Sequence, residues 1–327
     1  MNTVAPKNSE LCVAIVGTGV IGTSWAAHFL ARGERVIATD PAPGAADRLR
    51  AAIDQIWPGL ERTGIVPDAS RDRLEFTKDV ESCVADAGFV QENAPENLAR
   101  KQQLMQAIDA AVAPGVIVAS SSSGLLPSDL QALCRHDPGR ILVGHPFHPP
   151  HLMPLVEVVG GRATGETTIA QAMDFYRSMG KHPIHIRKEL PGHVANRLQA
   201  ALWREAFSLV EQGAATVADV DDAIRHGPGL RWAILGPFLT LHLTGGKGGM
   251  EDILKKMGPS VEEWWAGFQT PRLAPELVET VVQGVQALEE RLGGDGLEAW
   301  RDDMLNRLLA LKAEHPETGG KDHRHAQ

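Results

Sequence analysis

A doubly wound α/β sheet followed by an all-helical domain is the architecture that this 327-residue chain predicts. Three observations predict it. Short apolar, β-branched-rich runs alternate with helix-like stretches along the first part of the chain. A glycine-rich turn joins the first run to the first helix. Beyond Pro191 the period becomes that of helices alone, with no clear strand.

Residues 11–16 (LCVAIV) are a continuous apolar run, as expected of a strand covered on both faces. Further runs lie at 35–40, 88–91, 116–120, 140–144, 155–159 and 184–186, with helix-like stretches at 23–32, 44–61 and 96–113. Strand alternating with helix is the pattern of a parallel sheet. After Pro191, the residues Val194, Leu198, Leu202 and Leu209 recur at a helical period. Three or four more helical segments follow, broken at Gly227-Pro228-Gly229 and at 245–249. The expected organisation is an α/β domain at 1–190, a helical domain at 191–314, and a polar, disordered tail at 315–327.

The composition, 43% hydrophobic and 22% charged, is that of a globular protein long enough for two domains. A formal net charge of −9 argues against a nucleic-acid partner. Cys12, Cys83 and Cys134 are far apart and lack CxxC spacing, so neither a disulfide framework nor a zinc site is expected, and a reducing cytoplasm is. The first ten residues are polar, and no apolar run approaches the ~20 residues of a membrane span.

Gly17-Thr18-Gly19-Val20-Ile21-Gly22 matches GxGxxG between a strand and a helix. Such glycines allow a tight turn, close approach of backbone to a pyrophosphate, and close helix–strand packing, while the helix N-terminus offers free N–H groups to the phosphates. The second run ends in Asp40, where an acid accepts hydrogen bonds from a ribose 2′-OH; Pro41-Ala42-Pro43 follows, with no arginine for a 2′-phosphate. Together these make the first domain Rossmann-type and the expected cofactor NAD.

The stretches Gly144-His145-Pro146-Phe147-His148-Pro149 and Pro154-Leu155-Val156-Glu157-Val158-Val159 resemble the 3-hydroxyacyl-CoA dehydrogenase family, as do Ser120-Ser121-Ser122-Ser123-Gly124-Leu125 and Pro191-Gly192-His193-Val194-Ala195-Asn196-Arg197-Leu198. Within it, Gln91-Glu92-Asn93-Ala94-Pro95-Glu96, Ser122-Ser123-Gly124-Leu125-Leu126-Pro127 and Gly229-Leu230-Arg231-Trp232 are most similar to the free-acid branch, the carnitine and L-gulonate 3-dehydrogenases. The resemblance implies that His145 is the general base, Glu157 the carboxylate that orients it, and Ser123 and Asn196 further active-site groups. It also implies that Glu96 and Lys101 lie beside the nicotinamide end of the cofactor. His148 departs from the pattern, which has asparagine there.

The chemistry asks for these residue types. Removing hydride from a carbinol carbon requires loss of the hydroxyl proton, and a histidine with an unperturbed pKa near ~6.5 accepts it close to neutral pH. A carboxylate on the other ring nitrogen fixes the tautomer and steadies the imidazolium. Hydroxyl and amide donors stabilise the substrate oxygen. A glutamate inside the apolar run 155–159 requires a partner, because an unpaired buried carboxylate is costly. The twelve positions from His145 to Glu157 allow an out-and-back turn that brings the two together. A metal site of His145, His148 and His151 is not expected, since Pro146, Pro149 and Pro150 preclude the helix that would align them. The serines at 120–123 have no G-x-S-x-G elbow.

On the substrate side the candidates are Arg231 and Ser121. A guanidinium suits bidentate capture of a carboxylate, the alternative being a surface arginine at a helix cap. Residues 44–62 hold arginines but no lysine cluster for CoA phosphates. Trp203, Trp232, Trp264, Trp265 and Phe147 are either a cation–π cage for a trimethylammonium group or core and subunit interface. The expected substrate is a small L-3-hydroxy acid, carnitine-like first. The alternatives are a short-chain 3-hydroxyacyl-CoA, L-gulonate, or a non-catalytic NAD-binding role. A homodimer built through the helical domain is expected.

Overall fold

The computed structural model describes residues 11–315. Eight strands form one sheet: β1 Cys12–Val16, β2 Arg35–Thr39, β3 Leu74–Thr77, β4 Phe89–Glu92, β5 Ile117–Ser120, β6 Ile141–Pro146, β7 Leu155–Gly160 and β8 His182–Ile186. Their order is β3-β2-β1-β4-β5-β6-β7-β8. The first six follow the doubly wound order, with a switch point between β1 and β4 where loops diverge and ligands bind. Every pairing is parallel except β6 with β7.

Among the described residues, six α-helices accompany the sheet: α1 Val20–Ala31, α2 Ala45–Thr63, α3 Val80–Val84, α4 Leu98–Ala111, α5 Pro127–Leu130 and α6 Glu166–Ser178. The continuous apolar run of β1 serves two cores at once, because alternate strand residues point to opposite faces. Val13 and Ile15 pack with Trp25 and Phe29 of α1, Leu49 and Ile53 of α2, and Tyr176 of α6. Cys12, Ala14 and Val16 pack with Val84 of α3, Met105 and Ile108 of α4, and Leu130 of α5.

The strand β3 and the helices α3, α5 and α6 are not among the elements named from the sequence. β3 (LEFT) is an edge strand, only partly buried and carrying Glu75. It lacks the apolar run by which the inner strands are read, and a charged edge discourages pairing with other chains.

The chain divides into two compact units between Asn196 and Arg197. Seven helices occupy its second part among the described residues: α7 Ala195–Glu211, α8 Val217–His226, α9 Pro228–Trp232, α10 Pro237–Thr244, α11 Gly249–Gly267, α12 Pro275–Leu292 and α13 Leu297–Glu314. That is more than the sequence period resolves, because α9 and α10 are too short to show one. The tail expected to be disordered lies, from residue 316 on, outside the described residues.

Candidate active site

The glycine loop leaves β1 with Gly17 at φ +90, a left-handed conformation that favours glycine. A β-carbon on Gly22 would stand 1.9 Å from the Gly17 carbonyl oxygen, so Gly22 is what lets α1 begin against the turn. A β-carbon on Gly19 would meet nothing within 4 Å. Gly19 is the N-cap of α1, and no side chain caps the helix there. The first N–H groups of α1 are thus left without a capping side chain, at an exposed Gly19 and Val20 and with the positive end of the helix dipole behind them, which fits a pyrophosphate. Asp40, at the end of β2, accepts from the Thr18 N–H at 2.8 Å and from the Ala42 N–H at 2.9 Å. It thus pins the glycine loop to the end of β2.

Across the switch point, β4 and β5 carry a polar network. Glu92 is fully buried, and Lys101 of α4 donates to both its oxygens at 2.7 and 2.9 Å. Ser120 Oγ also donates to Glu92, at 2.5 Å. Lys101, expected beside the nicotinamide end, is 1% exposed, and its ammonium is committed to Glu92 because a buried cation requires a counter-charge. Its nearest link to the loop is Glu96 Oε2 at 4.0 Å. Glu96 does reach the loop after β5, accepting from Ser122 Oγ at 2.6 Å and from the Gly124 N–H at 2.8 Å. Burial pushes its carboxyl up, but these donors and Lys101 outweigh it and hold it below the ordinary value. The Ser121 hydroxyl, half-buried, accepts from Gln91 Nε2 and donates to Asn93 Oδ1, both within the protein.

His145 and Glu157 face each other across the single antiparallel pairing, as directly opposed residues of β6 and β7. His145 Nδ1 lies 2.9 Å from Glu157 Oε2, and its Nε2 lies 3.1 Å from Ser123 Oγ. His145 is 5% exposed and Glu157 fully buried, whereas Ser123 is exposed. The other Glu157 oxygen, Oε1, accepts from the Val194 and Ala195 N–H groups, both at 2.9 Å, where α7 begins. Burial pushes the Glu157 carboxyl up, but the bonds from His145, Ala195 and Val194 outweigh it, so the group is held below its ordinary range and ionised at neutral pH. Carboxylate, imidazole and hydroxyl form one relay whose outer end is open.

Gly144, the residue before His145, leaves room for Tyr176. A β-carbon there would meet the Tyr176 hydroxyl at 2.0 Å, and that hydroxyl donates to Gln91 Oε1 at 2.7 Å. Asn196 is half-buried in the first turn of α7, and its amide makes no side-chain hydrogen bond among the described residues. Arg231 is exposed on α9, in the other unit from the relay. Trp203, Trp232, Trp264 and Trp265 are exposed, and no ring contact joins them among the described residues. His148 is exposed, and His151 Nδ1 pairs with Ser24 Oγ at 2.8 Å.

Two groups escaped sequence reading as site residues. Glu92 sits in a buried strand and was findable by the argument applied to Glu157, that an acid in an apolar run needs a partner. His193 is fully buried beside His145, with ring centroids 5.1 Å apart. Its left-handed backbone, φ +49, leaves no signal in the sequence.

A doubly wound sheet with an uncapped glycine turn and a histidine at the carboxyl end of β6, paired with a carboxylate of the antiparallel β7, defines an NAD-dependent dehydrogenase acting on CH–OH groups. Comparison with known proteins narrows this. Residues 12–190 match the 3-hydroxyacyl-CoA dehydrogenase NAD-binding domain and residues 192–290 its C-terminal domain. The chain belongs to the 3-hydroxyacyl-CoA dehydrogenase family. It is 51% identical over 305 residues to an L-carnitine dehydrogenase of Streptomyces coelicolor, covering 93% of this chain and 95% of that one. It is 47% identical over 306 residues to an L-carnitine dehydrogenase of Pseudomonas aeruginosa, covering 92% and 95%. Among solved structures it is similar to a 5-formyl-3-hydroxy-2-methylpyridine 4-carboxylic acid 5-dehydrogenase, described as an NAD+-dependent dismutase, with TM-score 0.80 and 31% identity over 94% of this chain and 100% of that one. It is also similar to an (S)-3-hydroxybutyryl-CoA dehydrogenase from Ralstonia eutropha, with TM-score 0.64 and 25% identity over 84% and 95%.

Proposed function

We propose that this enzyme oxidises the 3-hydroxyl of a small free L-3-hydroxy acid, L-carnitine first, to the 3-keto product, with His145 as the base. The observation that carries the reaction is the relay from Glu157 through His145 to the exposed Ser123. The substrate preference rests on relatives named for L-carnitine at 46–51% identity.

NAD, when bound, supplies the hydride acceptor. Gly17, Gly19, Val20, Ile21 and Gly22 would hold its pyrophosphate, Asp40 its ribose, and Glu96 would lie toward its reactive end, with Lys101 supporting through Glu92. With Nδ1–H held by Glu157, the Nε2 of His145 is a lone pair and receives the hydroxyl proton. Glu157 then faces an imidazolium and balances its charge without changing its own protonation. The site occupied by Ser123 Oγ against Nε2 is where the substrate oxygen would bind, with Ser123 and Asn196 as donors to it. Arg231 is the proposed partner of the substrate carboxylate, and Ser121 a positioning hydroxyl near the reacting centre.

We further propose a homodimer built through the helical part, residues 191–314. Beyond residue 197 the buried apolar side chains, among the described residues, are Ile253, Leu277 and Leu288, while Leu198, Trp203, Phe238, Leu243, Trp264 and Trp265 are exposed. So much uncovered apolar surface is typical of an interface. The three cysteines are buried and form no disulfide, consistent with a reducing cytoplasmic setting. NAD reduction with L-carnitine, L-gulonate, L-3-hydroxybutyrate and 3-hydroxybutyryl-CoA tests the substrate reading. Preference for the thioester would refute it.

A further inference from the structure

We propose that His193, which stands outside the relay, positions both partners of His145 at once: its ring sets Ser123 and its backbone sets Glu157. The proposal rests on the reading of His145 as base.

His193 Nε2 lies 3.0 Å from the carbonyl oxygen of Ser122. A carbonyl only accepts, so Nε2 carries the proton and the ring is the Nε2–H tautomer. Nδ1 is then a buried lone pair, without a partner among the described residues. Protonating it would bury an unpaired cation beside His145. Burial first, opposed by the Ser122 bond and reinforced by His145, holds His193 below the ordinary imidazole range. The ring therefore stays neutral while His145 exchanges its proton, and it does not compete for that proton. Ser122 is gripped twice, at its carbonyl by His193 and at its hydroxyl by Glu96. The next residue is Ser123, whose hydroxyl meets His145 Nε2.

The backbone acts on the opposite side. Gly192 at φ +78 and His193 at φ +49 are consecutive left-handed residues, and His193 is the one non-glycine with positive φ among the described residues. The turn they make brings the Val194 and Ala195 N–H groups together onto Glu157 Oε1. A β-carbon costs stability in that conformation, and the ring's bond to Ser122 offsets the cost.

Three variants separate these roles. His193→Phe keeps the ring's bulk without a donor. His193→Asn accepts the left-handed backbone but falls short of the Ser122 carbonyl. His193→Gln returns an amide N–H close to the position of Nε2. In the Phe and Asn variants kcat is expected to fall roughly 10- to 100-fold, the effect of misplacing a reacting group by about 1 Å. NAD affinity and KM should hardly change. The acid limb of kcat/KM should move to higher pH, because losing the Ser123 donor at Nε2 and the amides on Glu157 both favour protonated His145. The Gln variant should recover part of the loss.

A His193→Phe enzyme with parental kcat and an unmoved acid limb overturns the proposal. So does an equal kcat loss in all three variants with the limb unmoved. His145→Ala, assayed alongside, separates the two readings: survival of its turnover refutes the base itself, whereas its collapse beside unaffected His193 variants refutes only the positioning role. If none of the variants binds NAD, nitrogen-15 histidine NMR of the unaltered protein decides. His193 should be the neutral Nε2–H tautomer at neutral pH, and an Nδ1–H tautomer or an imidazolium there overturns the proposal.

Discussion

Replacing Glu157 by glutamine tests the relay without changing its shape. In the parent, Oε2 accepts from His145 Nδ1, and Oε1 accepts from two backbone N–H groups. A glutamine has one acceptor oxygen and one donor NH2 to place at these two positions. Turned with its NH2 toward Val194 and Ala195, it would set donors against two donors in a buried site. Its oxygen therefore goes to the backbone and its NH2 to His145. Nδ1 must then accept, the proton moves to Nε2, and the imidazole becomes the tautomer that cannot act as base. In serine hydrolases the equivalent change of tautomer costs about 10⁴ in kcat, or about 5.5 kcal/mol at 1.36 kcal/mol per decade. Steady-state kinetics with NAD and the preferred hydroxy acid should show that loss. NAD affinity and melting temperature should stay close to parental, since every position in the site remains filled. Nitrogen-15 NMR should report His145 protonated at Nε2. A Glu157→Gln enzyme within tenfold of the parent would refute the reasoning.

Other expectations reach the remaining parts of the molecule. Gly19→Ala should fold and melt like the parent, because the methyl meets nothing within 4 Å, yet bind NAD at least about tenfold more weakly, since it stands where backbone and pyrophosphate meet; unchanged affinity by fluorescence titration would move the phosphate site elsewhere. Burial, with Arg32 adding to it, lowers Lys181 to about 7, against about 10.4 in an unfolded chain. The unfolded state then binds more protons between those values, so Lys181 makes stability rise with pH from about 7 to about 10. Lys181→Met should flatten that slope in denaturant titrations, and an unchanged slope would assign it to other groups. Arg231→Ala should raise KM for the free acid by roughly 30-fold, about 2 kcal/mol, with NAD binding intact; an equal loss with a neutral ester of the same acid would make Arg231 structural.

The inner strands were legible because each is an apolar run between helix-like stretches, and the glycine turn because its spacing is local. β3 was not, since its place depends on β2 offering an edge. The His145–Glu157 pair was legible from one acid out of keeping with its strand. The Glu92 network was not put together from sequence, because its members come from residues 92, 101 and 120, brought together only by adjacent parallel strands and α4. Lys101 illustrates the limit most plainly: nothing in its place along the chain tells that its ammonium is buried against Glu92.

The one reversed pairing in the sheet has a consequence for how such an enzyme diversifies. His145 and Glu157 are the two ends of one rung of a ladder, so their separation is dictated by strand spacing. The connection at 147–154 is anchored separately, by Ser24 at His151 and by Lys181 at the Pro150 and Met153 carbonyl oxygens, so its exposed position, His148, can change while the proton-handling pair remains in register. Selection for a new substrate has that exposed position to rewrite, and the rung between His145 and Glu157 does not depend on it.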